Sequence, residues 1–386
     1  MVATRSVQTP AILLDLDILE HNIKNFHQMA EEGSKKLWPM LKTHKSTEIA
    51  RMQLAHGAAG FLCGTLDECE IIYDKLVRGE KRELNIMYAY PVASYPNISR
   101  VVNLARACSS FCLRIDGYEQ AVLLNQAAMD ADVCINYAII VNSGLNRFGV
   151  TPRELKALAS GIASLRHLKF AGISTHAGHV YGEANSDGVA KVARQESETM
   201  KAAVNVLSNM GIAPQIISTG STPTHQLIAN DELVNCLHPG NYVFMDNIQI
   251  ALGCAKEDDC ALTVLTTVIS APRDGEYIID AGSKCLGLDK GAHGNSNING
   301  YGRVNGHGEN MQISSLSEEV GIVNIHPACR GKLRLKVGDK LEIIPNHSCA
   351  AANNTSFYIA TRNGAPEELI SVDMRGNSTA KGIGFR

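Results

Sequence analysis

Neither sign of charge dominates this chain of 386 residues: 36 Lys and Arg face 39 Asp and Glu, a net charge of −3. With no basic excess, an obligate nucleic-acid binder is not expected. Long apolar runs are missing too. Ile135–Val141 is among the longest, and it contains Asn136, whereas a membrane helix needs about 20 apolar residues. The opening MVATRSVQTPAILLDLD has one Arg and no continuous apolar stretch, so no signal peptide is expected. The 11 Cys are odd in number, scattered and without CxxC spacing. That pattern excludes a disulfide scaffold and suits reduced, buried thiols in a cytoplasmic protein. The 33 Gly follow no period, which excludes collagen.

What the chain does have is apolar mass. Hydrophobic residues make up 45% and charged residues 19%, enough for a large core. The length suggests two domains at roughly 100–200 residues each. Through the first two thirds, apolar strands alternate with amphipathic helices. Candidate strands are Lys36–Lys42, Gly60–Cys63, Leu84–Tyr88, Phe111–Ile115, Ile135–Val141, Lys169–Thr175, Pro214–Ser218 and Leu233–Leu237. Helices are expected at Asp17–Ala30, Glu119–Ala128, Pro152–Leu165 and Arg194–Asn209. The third of these carries Thr151 as N-cap, a first-turn Pro and Glu154. Eight such units predict an α/β protein built on a (β/α)8 TIM-type barrel, residues 16–253. A Gly-rich dinucleotide fingerprint after the first strand is absent, which counts against an open doubly wound sheet.

Near Cys254 the pattern changes to short β-branched or alternating segments: Ala261–Ile269, Glu276–Asp280, Gly321–Ile325, Leu333–Leu335, Lys340–Ile344 and Phe357–Ala360. Turns such as Arg273-Asp-Gly separate them. Residues 254–386, joined by a strand from residues 1–15, are expected to form an all-β domain. The Gly- and Asn-rich Lys284–Gln312 reads as a long loop.

Catalytic groups of a barrel lie at the carboxyl ends of its strands. Here those ends are polar: Lys42-Thr-His-Lys45, Asn142-Ser-Gly-Leu-Asn-Arg147, Thr175-His176-Ala-Gly-His179-Val-Tyr181, Gly220-Ser-Thr-Pro-Thr224 and His238-Pro-Gly-Asn-Tyr242. Backbone N–H groups of Gly220–Thr222 and Gly240–Asn241, with the Ser221 and Thr222 hydroxyls, suit a phosphate dianion. Lys42, on the first strand and opposite those loops, is placed to form a Schiff base. His347-Ser-Cys349 puts imidazole and thiol two residues apart, on one face if the segment is extended. That pair suits zinc.

Together with Pro345-Asn-His347-Ser-Cys349, these motifs resemble the alanine-racemase-type (fold type III) pyridoxal-phosphate enzymes. Within them the chain is most similar to the metal-dependent branch: D-serine dehydratases, D-threonine aldolases and D-threo-3-hydroxyaspartate dehydratases. The motifs span residues 42–349. The resemblance implies pyridoxal 5'-phosphate on Lys42, which also serves as base at Cα. It implies Arg147 near the phenolic oxygen and His176 against the pyridine face. It implies Gly220, Ser221, Thr222, Gly240, Asn241 and Tyr242 around the cofactor. His347 and Cys349 would hold a divalent cation, zinc first, with manganese or magnesium as alternatives. No role is assigned to His179 or His238, and His225 and His326 read as core or surface residues.

The implied reaction is metal-assisted loss of the β-hydroxyl from a small D-amino acid, giving pyruvate and ammonia from D-serine. The alternative is retro-aldol cleavage to glycine and an aldehyde. Racemisation ranks lower, because the strand-end motifs offer no arginine for the pyridine nitrogen. A non-catalytic pyridoxal-phosphate carrier also ranks lower, because such barrels usually lack the β-domain. The resemblance also implies a homodimer. Two positions depart from the branch. Val320 stands where His is frequent, and Leu37-Trp-Pro-Met40 replaces an Arg-Pro-His segment.

Overall fold

The computed structural model describes residues 6–291 and 294–376. Strand β1 (Ala11–Asp15) comes first. Eight short strands then alternate with helices: β2 (Lys36–Leu37), β3 (Gly60–Cys63), β4 (Asn85–Tyr88), β5 (Phe111–Ile115), β6 (Ile135–Ile140), β7 (Leu168–Ser174), β8 (Ile216–Thr219) and β9 (Cys236–Leu237). They form one sheet in the order β2-β9-β8-β7-β6-β5-β4-β3. Its two ends meet. Ala59 N–H donates to Leu37 O (2.9 Å), Leu62 N–H donates to Pro39 O (3.0 Å), and Met40 bridges Leu62. The chain therefore forms the (β/α)8 barrel expected of it.

The strands are buried on both faces, which is why they read as continuous apolar runs. One set of side chains meets the surrounding helices, including Phe111, Leu113 and Ile115 of β5. The alternate set fills the barrel with Trp38, Met40, Leu62, Met87, Cys112 and Ala138. Among the helices, Pro152–Ile162 opens with Thr151 N–H and Oγ1 both donating to Glu154 Oε2 at 2.8 Å. This is the capping arrangement the sequence suggests.

The remaining strands are β10 (Leu262–Arg273), β11 (Glu276–Ile279), β12 (Arg303–Val304), β13 (Met311–Leu316), β14 (Gly321–Ile325), β15 (Lys340–Ile344), β16 (Phe357–Arg362) and β17 (Ala365–Ser371). With β1 they make a nine-stranded sheet, ordered β11-β14-β13-β12-β15-β10-β1-β16-β17, in which β11 also pairs with β10. β1 lies antiparallel to β10 and parallel to β16. A separate core of Leu262, Val264, Ile279, Ile313, Val323, Ile343 and Tyr358 fills this sheet. Among the described residues no helix is long and apolar enough to cross a membrane.

Four local expectations change. The first barrel strand stops at Leu37 rather than Lys42, because Pro39 has no N–H for the ladder; Lys42 lies in the 3₁₀ turn Leu41–Thr43. Lys284–Gln312 is not one loop, since it contains β12 and the start of β13. Leu333–Leu335 is no strand and makes only an isolated bridge from Leu333 to Arg330. Finally, His347–Cys349 is not extended throughout. His347 caps the short helix Ser348–Asn353, started where Asp246 Oδ2 accepts the Ser348 N–H (2.9 Å) and hydroxyl (3.2 Å).

Candidate active site

One cavity opens at the carboxyl ends of the barrel strands. Lys42, Arg147, His176, Ser221, Gly240, Asn241, His347 and Cys349 all line it. Residues from five strand-end loops and from the β-domain therefore converge, as strand ends of a barrel must. Lys42 is held by the 3₁₀ turn that Pro39 forces. Lys45, three residues on, is outside the lining; its ammonium pairs with the buried Glu68 carboxylate at 2.8 Å.

On the phosphate side, Ser221 is buried and Gly220 has φ +139°, a conformation open to glycine. Gly240 is bare backbone against Met40 and Thr43: an added Cβ would sit 3.0 Å from Thr43 Oγ1. Asn241 Nδ2 donates to Asp246 Oδ2 (2.7 Å) and Ser348 Oγ (2.8 Å), while its Oδ1 is buried without a partner. Three expected contacts, Gly220, Thr222 and Tyr242, are not among the lining residues. Tyr242 is fully buried on the other side of its loop, its hydroxyl accepting from Gln53 Nε2 (2.9 Å) and lying 3.2 Å from His27 Nε2. Thr222 Oγ1 is occupied by the Tyr242 N–H (3.0 Å). These residues brace the loop from behind.

His176 Nδ1 is 2.9 Å from Gly220 O. A carbonyl only accepts, so Nδ1 carries the proton and Nε2 does not. Burial first, then the nearby Lys42 charge, push the ring down to about 3, so it is neutral at pH 7. From the helix Ser186–Ser208 a buried carboxylate holds the same loop: Glu196 accepts from Gly220 N–H (3.2 Å) and Thr224 Oγ1 (3.0 Å).

The pair His347 and Cys349 sits beside the lysine turn. Cys349 Sγ donates to Thr43 Oγ1 at 3.3 Å, and His347 Nδ1 lies 3.4 Å from Asp289 Oδ1. Burial pushes the Cys349 thiol up, but the adjacent His347 and Lys42 pull it below its usual value. Burial pushes His347 down, but Cys349 and Asp289 raise it well above the ordinary imidazole range. The two side chains together make a nitrogen–sulfur donor set that a soft divalent cation would take over. Among the described residues no group of three or more His, Cys, Asp or Glu could hold a metal. A cation bound by two protein ligands would keep positions for water and substrate.

Other lining residues escaped the strand-end motifs or received no role from them. Tyr90, Arg114 and His238 all line the cavity. His238 Nε2 is buried without a partner, and burial followed by the charge of Arg114 pushes the ring well down. Arg114 lies within β5, not after it. Its signal was a single charge in Phe111-Cys-Leu-Arg114-Ile115, at the inward step of the alternation. A lysine amine, bare backbone with a buried hydroxyl and a partnerless buried ring nitrogen at His238 suit a phosphorylated, heteroaromatic aldehyde. The residues present therefore fit pyridoxal phosphate.

Comparison with known proteins agrees with this geometry. The family described as alanine racemase, N-terminal domain, matches residues 14–248, and a putative serine dehydratase domain matches residues 261–361. A 3-hydroxy-D-aspartate aldolase of Paracoccus denitrificans (strain Pd 1222) is 29% identical over 385 residues, covering 96% of this chain and 92% of its own. A D-threo-3-hydroxyaspartate dehydratase of Delftia sp. (strain HT23) is 28% identical, covering 92% and 94%. The crystal structure of a D-threonine aldolase from Filomicrobium marinum superposes with a TM-score of 0.86 at 25% identity, covering 97% and 98%.

Proposed function

Because the chain belongs to the alanine racemase N-terminal-domain family, we propose that it is a pyridoxal-phosphate-dependent lyase of small D-β-hydroxy-α-amino acids. In this reading a divalent cation assists, and the reaction is D-serine-dehydratase-type elimination of water. The observation that carries it is the meeting of Lys42 with the His347–Cys349 pair in one cavity, through the 3.3 Å contact from Cys349 to Thr43.

Bound there, the cofactor supplies an electron sink for Cα and the cation a Lewis acid for the β-oxygen. Lys42 Nζ would hold the cofactor and, once the substrate's amine had displaced it, would be the free amine that takes and holds the Cα proton. Ser221, Gly240 and Asn241, with the backbone of Thr222, would hold the phosphate, while the Gly220 N–H is taken by Glu196 and shapes the loop behind them. His176 is assigned to the ring face, fixed by its bond to Gly220 O, and Arg147 to the phenolic oxygen. Tyr242 acts only by bracing Thr222. His347 and Cys349 hold the cation, zinc by their donor chemistry.

Retro-aldol cleavage uses the same residues, with a base acting on the hydroxyl instead. It is favoured by the name of the 29%-identical relative. The reading also takes the protein as a cytoplasmic homodimer, with residues 16–253 and 1–15 plus 254–386 as its two domains. The membership of β1 in the nine-stranded sheet supports that division. A monomeric, active species on gel filtration would reject the dimer.

The test is a split assay on protein loaded with pyridoxal phosphate and Zn²⁺ or Mn²⁺. D-serine and D-threonine are supplied separately, and 2-oxo acid, glycine and acetaldehyde are quantified. Pyruvate from D-serine is expected, and Lys42→Ala abolishes it along with borohydride-fixable cofactor. Glycine with acetaldehyde from D-threonine would move the assignment to the aldolase. Inactivity on both, with cofactor still fixed on Lys42, would overturn the substrate class but not the cofactor.

A further inference from the structure

We propose that Arg114 is the seat of an anionic oxygen that the cavity's occupant must bring with it. The inference rests on the reading of this cavity as the active site. It starts from the strand. In β5, Leu113 and Ile115 pack toward the helices and Cys112 faces the barrel interior. Two residues on, Arg114 faces inward with Cys112. It pairs in register with Ala138 of β6. Ala89, following β4, lines the cavity as well. Small neighbours leave the guanidinium space at the cavity floor.

Arg114 is 4% exposed and lines the cavity, and its guanidinium has no hydrogen bond or ion pair with any described residue; its Nε is buried and partnerless. Burial lowers its affinity for the proton only to about 10, so it stays charged at neutral pH. A guanidinium offers five donors in a fixed fork. An unpaired buried charge is costly. No protein anion compensates it: Lys42, Arg114 and Arg147 line the cavity, and no Asp or Glu does.

Strand order argues against the phosphate as partner. The proposed phosphate loops follow β8 and β9, and β5 is three and four places away in an eight-stranded closed sheet. Arg114 therefore lies across the barrel from them. On its own side is Arg147, after β6, with its guanidinium 5.8 Å from the Tyr90 ring centre and 5.2 Å from that of Phe148. Arg147 is exposed at the rim and Arg114 is deep. The fork suits a planar or resonance-stabilised oxygen anion. Two sources share that chemistry: the phenolate of the cofactor and the carboxylate of the amino-acid substrate.

Arg114→Met and Arg114→Lys separate the sources. The pyridoxal-phosphate-loaded protein is titrated with pH while the cofactor absorbance is recorded. It is then titrated with malonate, a carboxylate that cannot react. A phenolate seat predicts that Arg114→Met moves the absorbance transition up by about one pH unit or more, since a stabilising cation is lost. Malonate affinity then stays unchanged. A carboxylate seat predicts an unchanged transition and about tenfold or weaker malonate binding. Arg114→Lys keeps the charge but not the fork, and falls between the parent and Met in whichever arm responds. If Arg114→Met does not fold, Arg114→Lys is read in the same two titrations. A folded variant that moves neither readout overturns the proposal. Failure of the parent to retain pyridoxal phosphate would instead defeat the functional reading. The malonate arm would then be read on the cofactor-free chain as a thermal shift, and its absence in the parent would defeat the anion seat too.

Discussion

Asp246 does not line the cavity, yet both halves of the proposed site end on it. Its Oδ2 accepts from Asn241 Nδ2 and from the N–H and hydroxyl of Ser348, and its Oδ1 from Gln249 N–H at 3.2 Å. Asn241 belongs to the proposed phosphate seat, and Ser348 separates His347 from Cys349. Asp246→Asn keeps the shape but must turn an NH₂ toward one set of donors. It is expected to weaken Zn²⁺ binding about tenfold to a hundredfold, the usual cost of losing an outer-shell partner, with secondary structure retained. Competition with a chelator measures this, and a change under about twofold would mean that the metal pair is held some other way. At this scale the sequence is informative where a turn dictates the answer. Lys42, Ser221, Gly240 and Asn241 were legible because polar strand-end loops of any such barrel converge. Asp246 was not, since Ser348 lies 102 positions away. Neither was the direction of Tyr242, which is set by Gln53 and His27 on the far side of its loop.

Elements were legible in proportion to how fully they are buried. β3, β5, β14 and β15 fall at the expected limits, because their apolar runs or alternation match their burial. β13 escaped notice because a register irregularity between Ile313 and Ser315 spoils its alternation and leaves both Ser314 and Ser315 exposed. β17 escaped because nearly every residue of this edge strand is exposed, so no apolar periodicity exists to read. Among the described glycines, Gly172 in β7 leaves the least room: a Cβ would fall 1.9 Å from Ile216 O of β8. A glycine inside an apolar strand signals such an approach. Gly172→Ala must push β8 away from β7, and with it the loop that carries Ser221. The expected cost is about 3 kcal/mol, a drop of several degrees in Tm. Pyridoxal-phosphate affinity should fall with it. Circular-dichroism melts and cofactor titration check both, and an unchanged Tm would show that the strands can separate without penalty.

For the whole molecule, acid sensitivity follows from groups outside the cavity lining. Burial holds His27, His44 and His225 each at about 4. Their rings are committed as neutral partners. His27 Nδ1 donates to His56 O (2.9 Å), His44 Nδ1 accepts the Ser46 N–H (3.1 Å), and His225 Nε2 donates to Phe26 O (3.3 Å). Charged neighbours modify this only in part: His56 and His27 oppose protonation, while Asp373 favours it at His44 against Lys45. In the unfolded chain these rings titrate near 6.5, so between pH 6.5 and 4 the unfolded state binds more protons. Stability is then complete above 6.5 and drains away as pH falls through 4, by up to about 3 kcal/mol per ring. Glu196 works in the other direction. Burial raises it to about 7, so its contribution is complete below about 4.5 and is lost as pH rises through 7. These histidines, joined by the likewise depressed His176 and His238, outweigh Glu196 and make the net slope positive between pH 4 and 6.5. Tm should therefore fall steeply on acidification across that window. His225→Gln, which keeps a donor for Phe26 O but cannot be charged, should flatten part of the slope while costing stability at pH 7.5. A Tm that stays level from pH 6.5 to 4.5 would mean that the histidines are hydrated in solution. The barrel would then have to open between the helix Leu16–Glu32, which supplies Phe26 and His27, and the loops that follow β8 and β9.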